Sequence, residues 1–97
     1  MFAIVTHKPG EYHTELGENM RIVESYDYVF CGRTKAQFVI AEVGGGAKVR
    51  IVEESGARAV NVVPAKFLPS FDDIASARQE LEQLAHFGTL DAKLVKR

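Results

Sequence analysis

Three histidines, one cysteine and a triple glycine are the residues of this chain whose types could carry chemistry. His7, His13 and His86 stand among thirteen carboxylates. Two histidines with a carboxylate can hold ferrous iron, and three histidines can hold zinc. No pair here has H-x-H or H-x-x-x-H spacing. His7 and His13 flank one loop and could meet beside Glu11 or Glu15. His86 lies near the end of an expected helix, where the dipole favours a cation without any ligand role. The reading is therefore no metal and no cofactor.

Cys31 is followed by Gly32, Arg33 and Lys35. Such positive neighbours can lower a thiol pKa and make it reactive. A free cysteine at a strand end more commonly packs as a small hydrophobe, and that reading is preferred. Gly44-Gly45-Gly46-Ala47-Lys48 resembles a phosphate-cradling loop only on the surface. The phosphate loop needs Ser or Thr after the lysine and then a helix. Val49 follows the lysine, begins a strand pattern and also occupies the third glycine position of a dinucleotide fingerprint. These glycines read as a hairpin loop.

Tyr26, Tyr28, Phe30 and Phe38 could stack bases, with Arg33, Lys35, Lys48 and Arg50 nearby. Glu24, Asp27, Glu42, Glu53 and Glu54 cancel that basic field, and the whole chain has a formal charge of −1. Nucleic acid is not expected as a partner. No apolar run approaches a membrane span. The short apolar N-terminal run lacks a basic region before it and reads as a strand, with no signal peptide. A lone cysteine fits a reducing compartment, so the expected location is cytoplasmic.

The elements that must position these residues are legible from period and punctuation. With 97 residues, 46% of them apolar, the chain makes one α+β domain over residues 1–97. Phe2 to Thr6 reads as a strand ended by Pro9-Gly10, and Gly10 to Met20 as a loop. Strands follow at Arg21 to Phe30, Gln37 to Val43, Lys48 to Glu54 and Ala59 to Val63. The turns between them are read as three hairpins, making an antiparallel meander of four or five strands. Opposed residues in such a pair share a face. Pairing Phe30 with Phe38, Val43 with Lys48, and Glu54 with Ala59 gathers Tyr26, Tyr28, Phe30, Phe38, Ile40, Val49, Ile51, Val60 and Val62 on one face.

One helix is expected from Phe71 to Phe87, capped by Ser70 and stopped by Gly88. Its stripe Ile74, Ala77, Leu81, Leu84, Ala85 should cover the aromatic face. Thr89 to Arg97 reads either as a short helix or as an added edge strand. The second sheet face carries Val29, Val39, Ala41, Val52 and Val63, an apolar patch that needs cover. A homodimer or a protein partner is the expected cover, with the N-terminal segment as the intramolecular alternative.

No pattern names a reaction. The expected function is that of a small accessory or interaction protein, with no enzymatic signature, acting through a sheet-face homodimer or partner contact. The alternative is a small-molecule-binding protein or small enzyme. Its pocket would lie between the N-terminal loop and the sheet end, near Tyr12, His13, Tyr26 and Cys31.

Overall fold

The first hairpin turns on two residues, Cys31 and Gly32, both at positive φ (50° and 76°). A two-residue turn with both φ positive matches the right-handed twist of its flanking strands. It joins β3 (Met20–Phe30) to β4 (Arg33–Val43) and sets Phe30 opposite Arg33. The computed structural model describes residues 1–86 and 92–97. β1 (Phe2–His7) pairs with the other side of β4, and β8 (Ala92–Lys96) pairs with the other side of β3. The two-residue β7 (Ser70–Phe71) closes part of the β1 edge, giving a five-stranded sheet in the order β7-β1-β4-β3-β8.

The three glycines do not close a hairpin. β4 and β5 (Lys48–Glu53) do not pair, and the chain passes at Gly44–Gly46 into a second sheet. That sheet has the order β2-β5-β6, with β2 (Tyr12–Leu16) drawn from the segment expected as a loop and β6 (Val60–Pro64) as its other edge. The expected continuous meander is therefore split in two, and its α+β class with antiparallel pairing stands. The connections are tied locally: the Gly44 amide donates to the Asn19 carbonyl at 2.7 Å, and Asn19 Nδ2 donates to the Gly45 carbonyl at 3.1 Å.

Register decides which residues face inward, because a one-residue slip reverses every side chain. Across β3 and β4, Tyr28 is opposite Ala36, where pairing through Phe30 and Phe38 would put Ile40. That displacement is even, so Tyr26, Tyr28, Phe38 and Ile40 still share a face. Across β5 and β6, Ile51 is opposite Asn61, where Val62 was expected. This displacement is odd. It turns Val60 and Val62 outward, where they are 45% and 59% exposed.

The helix α1 (Ile74–His86) covers the aromatic face as expected. Ala77 and Leu81 pack with Ile4 and Ile40 at the centre, and Phe2, Tyr26, Phe38, Phe71, Ile74 and Leu94 surround them. Tyr28 meets the Phe38 ring edge-on at 5.9 Å. The cap differs from expectation. Ser70 pairs with Ala3 in the sheet, and Asp73 Oδ1 accepts the Ser76 amide at 2.7 Å instead. The expected helix end at Phe87 and Gly88 lies outside the described residues. Of the two readings for Thr89 to Arg97, Ala92–Lys96 is an edge strand, with Leu94 opposite Tyr28.

The opposite face of the five-stranded sheet needs no second molecule. Ala3, Val5, Val39 and Ala41 are buried within the chain. The three-stranded sheet provides the cover, and its own inward residues Thr14 and Val49 are buried too. Gly17 extends the β2–β5 ladder by donating its amide to the Lys48 carbonyl at 3.0 Å. A Cβ there would overlap that carbonyl oxygen, which is backbone and cannot step aside. Gly17→Ala is expected to destabilise the fold by about 1–3 kcal/mol, as forced overpacking does. Urea denaturation checks this, with Gly45→Ala, whose added Cβ meets nothing within 4 Å, as the neutral control.

Candidate functional site

The connection from β1 to β2 shapes a cleft with a mainly apolar lining. The two strands leave one tight turn, where Lys8 and Tyr12 exchange backbone hydrogen bonds at 2.8 and 2.9 Å. Beyond it they diverge into different sheets. The last tie is the Thr14 hydroxyl, which donates to the Thr6 carbonyl at 2.7 Å. Past that point the strands splay, and a cleft of about 480 Å³ opens between the sheets. Ile4, Val5 and Thr6 form its floor along the β1 edge. Tyr12, Thr14 and Ile51 of the second sheet make one wall. Glu80 and Leu84 of α1 make the other, and Leu68-Pro69 closes the end. Apart from the Tyr12 hydroxyl, the Glu80 carboxylate and the two threonines, the lining is apolar.

A second cluster sits at the turn itself. His7 Nδ1 accepts the Thr14 amide at 3.0 Å, so an unprotonated Nδ1 is built into the fold. Burial, followed by the neighbouring His13, lowers the His7 pKa, and Glu54 only partly opposes this. His13 lies between two carboxylates, with Nε2 at 3.2 Å from Glu15 Oε2 and Nδ1 at 3.4 Å from Glu54 Oε2. The two histidines share a shallow cleft of about 210 Å³ with Pro9, Tyr12, Gln37 and Glu54. Among the described residues, no three histidine, cysteine or carboxylate side chains converge as a metal would require.

The third polar centre is Glu24, a carboxylate with only 6% of its side chain exposed. It stands opposite Ile40, beside the β3 bulge at Val23. Tyr26 Oη donates to Oε1 at 2.6 Å, and Arg78 Nε donates to the same oxygen at 2.9 Å. Arg78 Nη2 and Lys96 Nζ reach Oε2, the latter at 3.4 Å. Arg78 is the main cause, with Tyr26 and Lys96 assisting; together they outweigh burial and hold the carboxyl at about 2. Burial and Glu24 raise the Tyr26 pKa. This cluster ties α1 and β8 to β3 and leaves no vacant polar position, so it serves the fold.

No family model, curated protein or solved structure matches this chain. The case for function rests on these three places alone.

The residues singled out from the sequence are distributed among them. Tyr12 and His13 are adjacent on β2 and point to opposite faces, Tyr12 into the large cleft. Tyr26 is on the helix-covered face, bound to Glu24, and Cys31 is exposed in the tight turn. The structure thus does not bring these four together, and Cys31 is not the packed hydrophobe expected. Val39 and Ala41 are buried inside the chain, which removes them from any open interface. Val29 is half-buried on β3, Val52 lies on the outer face of the second sheet, and Val63 shares the inward face with Val49. Five residues read as one patch therefore belong to two sheets.

The cleft residues Ile4, Val5, Thr6, Ile51, Leu68, Pro69, Glu80 and Leu84 were not identifiable as a site beforehand. Each carries an ordinary core or helix signal. Glu24 did leave a trace, since it interrupts the apolar parity of its strand.

Glu24 makes a defined pH prediction. Its folded pKa lies below the usual 4.5, so its stabilisation is complete above pH 4.5 and is lost as pH falls from there through about 2. Glu24→Gln is expected to cost about 2 kcal/mol at neutral pH, the scale of hydrogen bonds to a charged group. It should also flatten the loss of stability between pH 4.5 and 2, measured by urea denaturation across that range.

Proposed function

We propose that this chain is a binding protein without catalytic chemistry, working in the cytoplasm, whose site is the apolar cleft at the splayed β1–β2 hairpin. The single observation that carries the reading is the lining. A cleft of about 480 Å³ falls within the range of ligand sites, ~300–1,000 Å³. Its walls offer burial and a few hydrogen-bonding groups rather than a nucleophile beside a base. Both threonine side chains sit at its margin, and the Thr14 hydroxyl is already committed to Thr6. The Glu80 carboxylate gives the mouth one fixed negative charge. The expected ligand is an apolar group carrying a hydrogen-bonding or cationic end.

Titration with 1-naphthol, followed by methyl NMR, tests this directly. The Ile51 and Leu84 methyl signals should shift together and saturate. Leu84 is 47% exposed, so Leu84→Glu should leave the fold intact. It should weaken binding by at least about tenfold, consistent with losing one leucine's apolar contact. Unmoved methyl signals at saturating probe would sink the reading.

A partner contact is the second reading, and one observation favours it. Val60 and Val62 stand exposed beside half-buried Val52 on the outer face of the second sheet. A second copy meeting this face would bury them, and two-fold pairing is the commonest symmetry. Sedimentation equilibrium should then give a dimer mass that Val62→Asp returns to monomer. A wild-type monomer at high micromolar concentration would rule it out.

A further inference from the structure

Strand β6 borders the three-stranded sheet, with β5 on one side and an edge on the other. The Glu53 amide donates to the Ala59 carbonyl and the Ala65 amide to the Ala47 carbonyl, both at 2.9 Å, and both continue the β5–β6 register. Hydrogen-bonded and non-bonded pairs alternate along an antiparallel ladder. Asn61 and Val63 therefore turn their N–H and C=O toward β5, while Val60, Val62 and Pro64 turn theirs to the edge. Pro64 has no N–H, and an outward position on an edge strand is where the ladder does not miss it. Val60, Asn61 and Val62 are all exposed, so among the described residues nothing covers this stretch of edge. Strand edges are ordinarily guarded by shortness, charge or cover. β7 has two residues, β8 carries Lys93 and Lys96, and β2 carries His13 and Glu15 and is tied to β1 through Thr14. β6 reads Val-Asn-Val-Val-Pro and holds no charge.

We propose that β6 pairs antiparallel with β6 of a second copy about a two-fold axis at Asn61, joining the two three-stranded sheets edge to edge. The occupant follows from self-complementarity. With the axis at Asn61, Val60 is opposite the partner's Val62, and Val62 is opposite the partner's Val60. Each pair exchanges N–H···O=C bonds in both directions, which uses every outward group of the two valines. An axis at Val62 or Val63 would set a valine against the partner's Pro64, which has no N–H to give. An axis at Val60 would set Val62 against the partner's Arg58, whose φ of 53° lies outside the extended range. The cross-strand valine pairs fall on the outer face, beside Val52, and withdraw apolar surface that is 45% and 59% exposed in one copy. Asn61 meets the partner's Asn61 on the other face, where two side-chain amides can exchange hydrogen bonds. No paired position carries a charge, so the pairing opposes no like charges. This inference rests on the partner-contact reading above and gives that contact its geometry, edge to edge instead of face to face.

A short ladder makes a contact of the weak class, so the full chain is compared at low and high micromolar concentration. Sedimentation equilibrium reads the mass, and amide hydrogen exchange by NMR reads the edge. The concentrated sample should show the dimer mass. Its Val60 and Val62 amides should exchange at least about threefold more slowly than in the dilute sample, because only pairing withdraws them from water. Val62→Pro deletes one outward donor and spares the bonds to β5, so it should weaken the dimer by about tenfold or more, the worth of two lost hydrogen bonds. Val62→Thr keeps the donor and the branched side chain and should still dimerise. A dimer whose Val60 and Val62 amides exchange equally fast at both concentrations would overturn the edge pairing and leave a face contact standing. A Val62→Pro dimer as tight as wild type would do the same. A monomer throughout would overturn the edge pairing and the partner-contact reading together.

Discussion

Strands β1 and β2 leave one tight turn and enter different sheets, and most of the structure follows from that divergence. A hairpin whose strands stay paired makes a single layer. Here the ladder ends at the hydroxyl of Thr14 on the carbonyl of Thr6, and each strand then finds a new partner, β4 for one and β5 for the other. The second sheet is thereby placed over Ala3, Val5, Val39 and Ala41, which would otherwise face water. A 97-residue chain buries little surface per residue, so having both faces of its main sheet covered from within matters to its stability. The opening left where the strands part is the cleft.

The opposite face depends on a charged centre. Glu24 is placed in an apolar strand face and would be costly there unpaired. Arg78 from the helix and Lys96 from the last strand converge on it, with the Tyr26 hydroxyl completing its shell. Both cations are themselves about half exposed, so they keep much of their hydration while satisfying the carboxylate. The arrangement orients α1 over Ile4 and Ile40 and secures β8 at the sheet edge. Since α1 also carries Glu80 and Leu84, this centre helps position one wall of the cleft on the far side of the helix.

Legibility followed the arithmetic of register. Most strand content between Arg21 and Val63, the helix and its covered face were readable because period and turn residues are local signals. The first hairpin was misaligned by four positions along β4, from Ile40 to Ala36, yet its face assignment survived because the displacement is even. The third was off by one, and Val60 and Val62 came out on the wrong side. Gly44–Gly46 misled more deeply: glycine permits a hairpin and a sheet-to-sheet crossing equally, and nothing nearby distinguishes them. The strand at Tyr12–Leu16 was hidden because its polar residues Thr14 and Glu15 pair with a strand more than thirty positions away.

The sequence by itself determined the α+β class, the amphipathic helix and the aromatic face it buries. These depend on residues close together in the chain. The turn expected over Gly32 to Ala36 is only Cys31-Gly32, with Arg33 already in β4. Tertiary structure alone decided that β4 and β5 part company, that the valines belong to two sheets, and that Glu24 is a paired ion. It also decided that Pro69 lies against Ile4. That last contact joins positions 65 residues apart. Local patterning can mark where a proline stands, but only the fold decides which strand it meets.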